Sequence, residues 1–237
     1  IEIPTSPPED PPRLTSTPTN LLAALAAHVE ATPDRVVFTW VDKKCKVTAT
    51  RTFAQIWHKA GAVADLLLKK GVAVGDRVMI TYPFGLEFLP GLLGCMRAGV
   101  IACSIYPPHP GKLKTEMPKL NRFAEDAGAK FALTTRSFSR IMKAAALMGR
   151  RASVTWLATD KLRPVAKRKI EDAEVQWEKI ALIQYTSGST GFPKGVVISH
   201  GAIAHNIRTI AAVSEISARS DIVSWLPQYH DYGLILA

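Results

Sequence analysis

Apolar positions along the chain recur at two alternating spacings, and this alternation is the main guide to the fold. From Thr52 onward, stretches in which apolar residues recur every three or four positions alternate with short, almost wholly apolar runs. The first spacing is typical of helices with one buried face, and the second of strands buried on both faces. Helices are predicted at 53–70, 86–98, 113–127 and 138–148, and strands at 77–82, 100–106, 130–134, 153–157 and 180–185. This order predicts an α/β fold in which helices cover largely parallel sheets.

The region before Thr52 has a different pattern. Thr19 or Asn20 is suited to cap a helix that extends to about Glu30, with leucines at helical spacing. Residues 36–41 and 46–53 are rich in β-branched side chains and flank a short polar turn. This arrangement predicts a β-hairpin.

The first eighteen residues contain six prolines and few large apolar side chains. Such a segment cannot bury enough surface to offset its chain entropy. We expect a linker or tail over 1–18 and a folded domain over 19–237.

The longest apolar stretch, residues 89–106, approaches the length of a membrane span. Arg97 interrupts it, and Gly99 falls where a helix would end. We therefore predict a buried helix followed by a buried strand, and no transmembrane segment. No basic region followed by an apolar core is evident at the start of the chain, so no secretory signal is indicated.

The three cysteines are odd in number and lack CxxC spacing, which supports neither a disulfide framework nor a zinc site. A reducing, cytoplasmic setting is expected. The net charge of +10 favours anionic partners. Much of the excess lies between Lys143 and Lys169, where eight basic residues accompany one acid, Asp160. We expect a solvated surface here, with a docking patch as the alternative; without an aromatic platform, we expect no nucleic-acid partner.

The stretch YTSGSTGFPKG at 185–195 follows the last predicted strand directly and is the main chemical candidate. Unhindered backbone N–H groups at glycines can converge on phosphate oxygens, hydroxyls add donors, and Lys194 supplies positive charge. A Walker A loop does not match, because Pro193 precedes Lys194 and a predicted strand follows. A glycine-serine turn without a ligand is the other interpretation of such a stretch.

This stretch resembles the phosphate-loop signature of the adenylate-forming superfamily, which includes acyl-CoA synthetases, luciferases and adenylation domains. RAGVIACSIYPPHP at 97–110 and WLPQYHDYGLI at 225–235 resemble the fatty acyl-AMP ligase branch, and EDAGAKFALTT at 125–135 is similar as well. The resemblance implies that 19–237 is part of the large N-terminal adenylation domain and that the C-terminal domain is absent from this chain.

The resemblance implies ATP-dependent activation of a fatty acid to an acyl-adenylate, with release of pyrophosphate. Two anions must meet in this reaction, so preorganised donors around the phosphates are its natural requirement. The implied phosphate-binding residues are Thr186, Ser187, Gly188, Ser189, Thr190, Gly191 and Lys194. ATP and Mg²⁺ are the implied cofactors, but no complete protein cage for the ion is evident and no residue is assigned as a metal ligand.

His230 is the candidate catalytic residue, because the family places an aromatic residue or histidine at this position beside the substrate carboxylate and the α-phosphate. It would donate a hydrogen bond to one of their oxygens. Asp231 would either orient the imidazole or cap the following helix. Tyr232 stands where relatives often carry methionine, which implies a narrower or more polar acyl pocket. His230, Asp231 and Tyr232 are thus the predicted substrate-binding residues.

Three other residues are predicted to be structural. Ser199 is expected to cap a helix over 202–213. Trp225 is expected to pack in the core, in a strand that Pro227 ends.

Several functional alternatives remain. An acyl-CoA synthetase is the nearer rival, and a non-catalytic adenylation-like module of a larger regulatory protein is the rival from another class. For a fatty acyl-AMP ligase, the partners would be a fatty acid and an acyl carrier protein or fused carrier domain. By the resemblance, the adenine and ribose contacts, an acidic magnesium ligand and a lysine of the C-terminal domain lie beyond residue 237. We therefore expect this chain alone to be inactive.

Overall fold

A computed structural model describes residues 20–166, 168, 172–186, 194–217 and 219–235. The helices are α1 (Leu21–Ala31), α2 (Phe53–Lys69), α3 (Phe88–Arg97), α4 (Leu113–Ala127), α5 (Arg136–Leu147), α6 (His200–Val213) and α7 (Asp231–Ile235), with a short 3-10 turn at Pro110–Lys112. The strands are β1 (Val36–Val41), β2 (Val47–Thr52), β3 (Arg77–Ile80), β4 (Ile101–Ser104), β5 (Phe131–Thr134), β6 (Thr155–Ala158), β7 (Ile180–Thr186) and β8 (Lys194–Ser199). The predicted tail at 1–18 lies outside the described residues.

Six strands form one sheet in the order β6-β5-β3-β4-β7-β8. The first five are parallel to one another, and β8 is antiparallel to β7. The predicted α/β fold with a largely parallel sheet is therefore confirmed. The strands β1 and β2 pair separately as the predicted antiparallel hairpin.

Helices pack on both faces of the six-stranded sheet. Val78 and Ile80 of β3 belong to an apolar cluster with buried residues of α1, α2 and α3. Met79, between them in sequence, belongs to a second cluster with buried residues of α4 and α5. Because successive side chains of a strand point to opposite faces, one short strand contributes to both cores. This burial explains why the strands are almost wholly apolar.

The apolar stretch at 89–106 forms the predicted buried helix and buried strand, α3 and β4. Gly99, at φ +68°, lies in the turn between them. Gly94 allows α3 to approach α2 closely, since a Cβ there would lie 2.6 Å from the Cβ of Val63. Among the described residues, none of the helices combines the length and the apolarity that crossing a bilayer requires.

Two of the three cysteines are buried. Cys95 and Cys103 are buried free thiols, whereas Cys45 is an exposed free thiol in the turn of the hairpin. Burial raises the pKa of Cys103 to about 12 and raises that of Cys95 as well. The buried pair therefore stays protonated and unreactive at neutral pH.

Three predictions made from the local pattern need correction. The second hairpin strand ends at Thr52 rather than Phe53, which begins α2 as predicted for the helix. Trp225 is 81% exposed, and residues 219–226 form no strand. A strand needs a neighbour with which to pair, and 219–226 do not pair with β8, which lies at the edge of the sheet. The third correction concerns Arg168, predicted to be part of a solvated basic surface, whose side chain is only 4% exposed.

Arg168 is buried because it belongs to an ion-pair network with the helices. Its Nε lies 2.8 Å from Oδ1 of Asp65 in α2, and its guanidinium also contacts Asp172. The Nε of Arg97, at the end of α3, lies 2.9 Å from Oδ1 of Asp172. The Arg97 guanidinium also lies 3.7 Å from the ring centroid of Trp57 and donates to the Trp57 carbonyl oxygen at 2.6 Å. The network attaches the basic connection to α2 and α3.

Side-chain caps begin several helices. Asn20 accepts a hydrogen bond from the backbone N–H of Ala23, as predicted for α1. Ser199 caps α6 as predicted, by accepting from the N–H of Ala202, although α6 begins at His200. Thr52 and Gln55 form a reciprocal capping box at the start of α2.

Replacing Thr52 with alanine should lower the free energy of unfolding by about 1 kcal/mol, because the N–H of Gln55 loses its capping acceptor. Urea denaturation of the variant and the parent chain measures the difference. The matched control is Thr52→Ser, which keeps the capping hydroxyl and should remain close to the parent. Equal destabilisation by both substitutions would show that the cap contributes nothing.

Candidate functional site

The candidate site lies at the edge of the sheet where β4 and β7 end. Ser104, the last residue of β4, is paired in register with Gln184 of β7. Ligands of open α/β sheets bind in the crevice at the carboxyl ends of the parallel strands. Because β8 is antiparallel to β7, it begins at this same edge. The stretch that connects the two strands therefore leaves the sheet and re-enters it at the edge that is suited to a ligand.

The two ends of the predicted phosphate-binding stretch are part of the sheet. Thr186 is the last residue of β7 and is paired across the strands with Lys194, the first residue of β8. Five of the seven predicted phosphate-binding residues lie outside the described residues, namely Ser187, Gly188, Ser189, Thr190 and Gly191. Their roles, and those of Thr186 and Lys194, stay predictions.

Two buried polar side chains hold the segment before His230 at the same edge. The Nε2 of Gln184 donates to the carbonyl oxygen of Tyr229 at 2.9 Å, and the Oγ of Ser104 donates to the same oxygen at 3.4 Å. Tyr229 also packs against the core cluster on the α2 and α3 face of the sheet. The segment before His230 thus lies against the ends of β4 and β7, and β7 leads into the stretch at 185–195, some forty residues earlier in sequence.

His230 and Asp231 contact each other. The Nδ1 of His230 lies 2.5 Å from Oδ1 of Asp231, and both side chains are more than half exposed. Asp231 is also the first residue of α7, and the same oxygen accepts from the N–H of Tyr232 at 2.8 Å. The contact with the imidazole fits the first of the two alternatives for Asp231. The N–H of the adjacent residue is not the capping contact of the second alternative, since an N-cap accepts from an N–H two or three residues further on. With Nδ1–H directed at Asp231, Nε2 is the nitrogen that can meet a ligand, and it donates when the ring is protonated.

Tyr232 and Gly233 lie in α7 beside His230. The ring of Tyr232 is exposed, and its centroid lies 6.5 Å from that of His230. Gly233 allows α7 to contact the backbone of Pro227, since a Cβ there would collide with the Pro227 carbonyl oxygen. The N–H of His230 donates to that same oxygen at 3.0 Å. Gly233 thus maintains the tight fold of 227–233 that presents His230.

Sequence reasoning missed Ser104, Gln184 and Gly233. Ser104 and Gln184 are polar residues in otherwise apolar strands, and that contrast is a signal which the sequence contains. Buried polar groups require partners, so each polar position in a buried strand indicates a specific contact. The Oε1 of Gln184 is itself buried without a partner among the described residues.

Metal binding has no support from side-chain clusters. In the part of the chain that the structure describes, no three or more His, Cys, Asp or Glu residues are grouped so as to hold a metal ion.

Comparisons with known proteins agree with this arrangement. The family model of AMP-binding enzymes matches residues 25–237. The medium-chain-fatty-acid–acyl-carrier-protein ligase JamA of Moorena producens is 32% identical over 203 residues, which cover 85% of this chain and 34% of that protein. Disco-interacting protein 2 homolog A of Homo sapiens is 30% identical over 222 residues, which cover 91% of this chain and 14% of that protein.

A solved structure has the same fold. The fatty acyl-adenylate ligase from L. pneumophila, in complex with acyl adenylate and pyrophosphate, superposes with a TM-score of 0.82 at 28% identity. The match covers 92% of this chain and 37% of that one. The chain therefore spans well under half of the length of each of these proteins.

Proposed function

This chain belongs to the family of AMP-binding enzymes, and on that premise we propose that the full-length protein is a fatty acyl-AMP ligase. The enzyme joins a fatty acid carboxylate to the α-phosphorus of ATP. A carboxylate oxygen forms a bond to that phosphorus, the bond from the α-phosphorus to the bridging oxygen breaks, and pyrophosphate leaves. The observation that supports the proposal is the hydrogen bond from Gln184 to the Tyr229 carbonyl oxygen, which links the segment before His230 to β7, the strand that leads into the predicted phosphate-binding stretch.

The reaction requires positive charge and hydrogen-bond donors where two anions approach. We assign the backbone amides and hydroxyls of 186–191, with Lys194, to the β- and γ-phosphates. His230 would donate from Nε2 to an oxygen of the α-phosphate or of the carboxylate, with its charge stabilised by Asp231. Mg²⁺ would neutralise phosphate oxygens when bound. Tyr232 would limit the acyl pocket.

The domain assignment and partners belong to the same proposal. Residues 19–237 would be part of the large N-terminal adenylation domain, with the C-terminal domain contributed by the rest of the full-length protein. A carrier protein or a fused carrier domain would accept the acyl group in the cytoplasm. The name of the JamA relative, which specifies an acyl-carrier-protein ligase, supports this acceptor.

Fatty-acid-dependent exchange of labelled pyrophosphate into ATP tests the proposal. The full-length protein should show exchange across part of a series of fatty acids, and this chain alone, as the control, should show none. Release of acyl-CoA on addition of coenzyme A would identify an acyl-CoA synthetase instead. Absence of exchange with every fatty acid would favour the alternative function, a non-catalytic module of a larger protein. The match to disco-interacting protein 2 homolog A supports that alternative.

Replacing Gln184 with leucine in the full-length protein should lower kcat for exchange about tenfold, because the Tyr229 carbonyl loses its shorter hydrogen bond. Leucine also removes the buried Oε1 that has no described partner, so the thermal midpoint should not fall. Ser104→Ala is the graded comparison, and its effect should be smaller since its bond is 3.4 Å long. A larger loss for Ser104→Ala than for Gln184→Leu would contradict the assigned roles.

A further inference from the structure

Tyr185 connects the candidate site to α4. It is the residue of β7 before Thr186, and its hydroxyl donates to Oδ2 of Asp126 at 2.6 Å. Asp126 lies in the last turn of α4, which covers the other face of the sheet from α2 and α3. The bond joins residues 59 positions apart in sequence, so it is a tertiary tether.

Ring contacts restrict the Tyr185 side chain further. Its centroid lies 5.0 Å from that of Phe123 in an edge-to-face arrangement, at 68° between the planes. Phe123 in turn meets Tyr106 edge to face at 6.1 Å. Edge-to-face pairs at these distances are favourable and directional. The ring is therefore held on one side by aromatic packing while its hydroxyl is held at the tip.

The ring of Tyr185 also lies close to Gly195 on the returning strand. Tyr185 is paired in register with Gly195 of β8. A Cβ on Gly195 would lie 3.3 Å from Cε1 and Cζ of that ring and 2.8 Å from Cγ2 of Ile183. Because Gly195 has no Cβ, the Tyr185 ring has room beside it. The Tyr185 side chain thus lies beside β8 one residue pair inward from Thr186 and Lys194, the two strand ends.

The hydroxyl acts as a hydrogen-bond donor over the working pH range. Burial and the hydrogen bond to Asp126 raise the pKa of Tyr185 above its ordinary value. Asp126 is exposed, so its carboxylate is solvated apart from this bond. The tether therefore pairs a neutral phenol with a charged acceptor, which is stronger than a neutral pair.

We propose that Tyr185 is a positioning residue for ATP, whose tether to Asp126 and close approach to Gly195 fix the two strand ends that flank the proposed phosphate-binding stretch. The inference rests on the proposed function, since it takes 186–194 to bind the triphosphate. Loss of the tether weakens the hold on ATP and leaves the fatty acid unaffected. The effect appears in ATP affinity rather than in folding, because the ring and its aromatic packing remain when only the hydroxyl is removed.

Tyr185→Phe in the full-length protein tests the tether. We expect kcat/KM for ATP to fall about tenfold, and the dissociation constant for a nonhydrolysable ATP analogue, measured by calorimetry, to rise by a similar factor. The KM for the fatty acid and the thermal midpoint should stay near the parent values. Tyr106→Phe is the matched control, since it removes a phenol hydroxyl from the same aromatic group and should change none of these quantities.

Substitutions at Asp126 identify the acceptor. Asp126→Ala should reproduce Tyr185→Phe, and the double variant should be no worse than either, because both remove one interaction. Asp126→Asn keeps an acceptor oxygen and should recover part of the affinity. Unchanged affinity for the ATP analogue in Tyr185→Phe, or an equal loss in Tyr106→Phe, would refute the tether. A parent protein that binds the analogue but shows no exchange would refute the proposed function alone.

Discussion

Replacing His230 with alanine in the full-length protein should lower kcat for fatty-acid-dependent pyrophosphate exchange by about a hundredfold. A preorganised donor directed at charge that develops in a transition state typically contributes a factor of this size. The side chain is 64% exposed, so its removal should leave the free energy of unfolding nearly unchanged. Initial rates at saturating ATP and fatty acid measure the effect.

His205→Ala provides the matched control for this variant. His205 is an exposed histidine on α6 with no assigned role in the reaction, and its removal should leave the rate at the parent level. The exchange rate of Asp231→Asn should lie between those of His230→Ala and His205→Ala. The amide oxygen keeps the hydrogen bond to Nδ1 but lacks the charge that stabilises a protonated ring. Retention of at least a third of the parent rate by His230→Ala would remove His230 from the mechanism.

Replacing Asp172 with alanine should lower the free energy of unfolding by about 3 kcal/mol. Removal of one partner from a buried ion pair leaves an uncompensated charge, which costs about 3 to 5 kcal/mol. Here Arg97 and Arg168 would share that cost, with side chains that are 6% and 4% exposed. The lower end of the range applies because Asp172 is itself 32% exposed. Urea denaturation monitored by tryptophan fluorescence measures the change.

Two comparisons separate the network from surface charge in general. Glu174→Ala removes an exposed acid from the same connection and should have almost no effect. Arg97→Met replaces a buried cation with an apolar chain that can still pack on Trp57, so it should cost less than Asp172→Ala. If Glu174→Ala and Asp172→Ala destabilised the protein equally, net charge rather than the buried pairs would account for the effect.

The sequence predicted helices and strands well because their apolar spacing is a local property. The limits predicted for α4 agree with the structure at both ends. Gly128 follows the last residue of the helix and ends it by adopting the left-handed conformation. Some strands were predicted too long, as for β4, which ends at Ser104 rather than Tyr106, whereas β7 extends one residue beyond its predicted end, to Thr186. The pattern of buried side chains continues past the last paired residue, so periodicity alone cannot locate the end of a strand.

Long-range polar contacts were the part that local patterns could not predict. Arg168 belongs to a run of basic residues, and such runs are usually solvated. Its burial depends on Asp65, more than a hundred positions earlier. The same limit applies to Gln184, whose unusual character was visible but whose partner at Tyr229 was not. The prediction that Trp225 is buried was wrong for a different reason. An apolar side chain is buried only where neighbouring elements cover it, and its own apolar character does not supply those elements.

The candidate site was predictable mainly through resemblance. Glycines, hydroxyls and a lysine indicate phosphate binding, but nothing local indicates that His230 lies near them. The structure brings the two ends of that stretch, Thr186 and Lys194, and the segment before His230 to one sheet edge through β4, β7 and the Tyr229 carbonyl. The hydrogen bond from Tyr185 to Asp126, next to the strand ends that flank 187–193, was not predictable from the local sequence.

The three cysteines differ in accessibility in a way that can be used experimentally. Cys45 is exposed at the tip of the hairpin, whereas Cys95 and Cys103 are enclosed by the core. Maleimide dyes and nitroxide labels react with accessible thiolates, so the folded chain carries a single natural attachment point for a spectroscopic reporter. Fluorescence transfer from that point to an acceptor installed elsewhere in this chain would follow movements of the hairpin without the removal of Cys95 or Cys103.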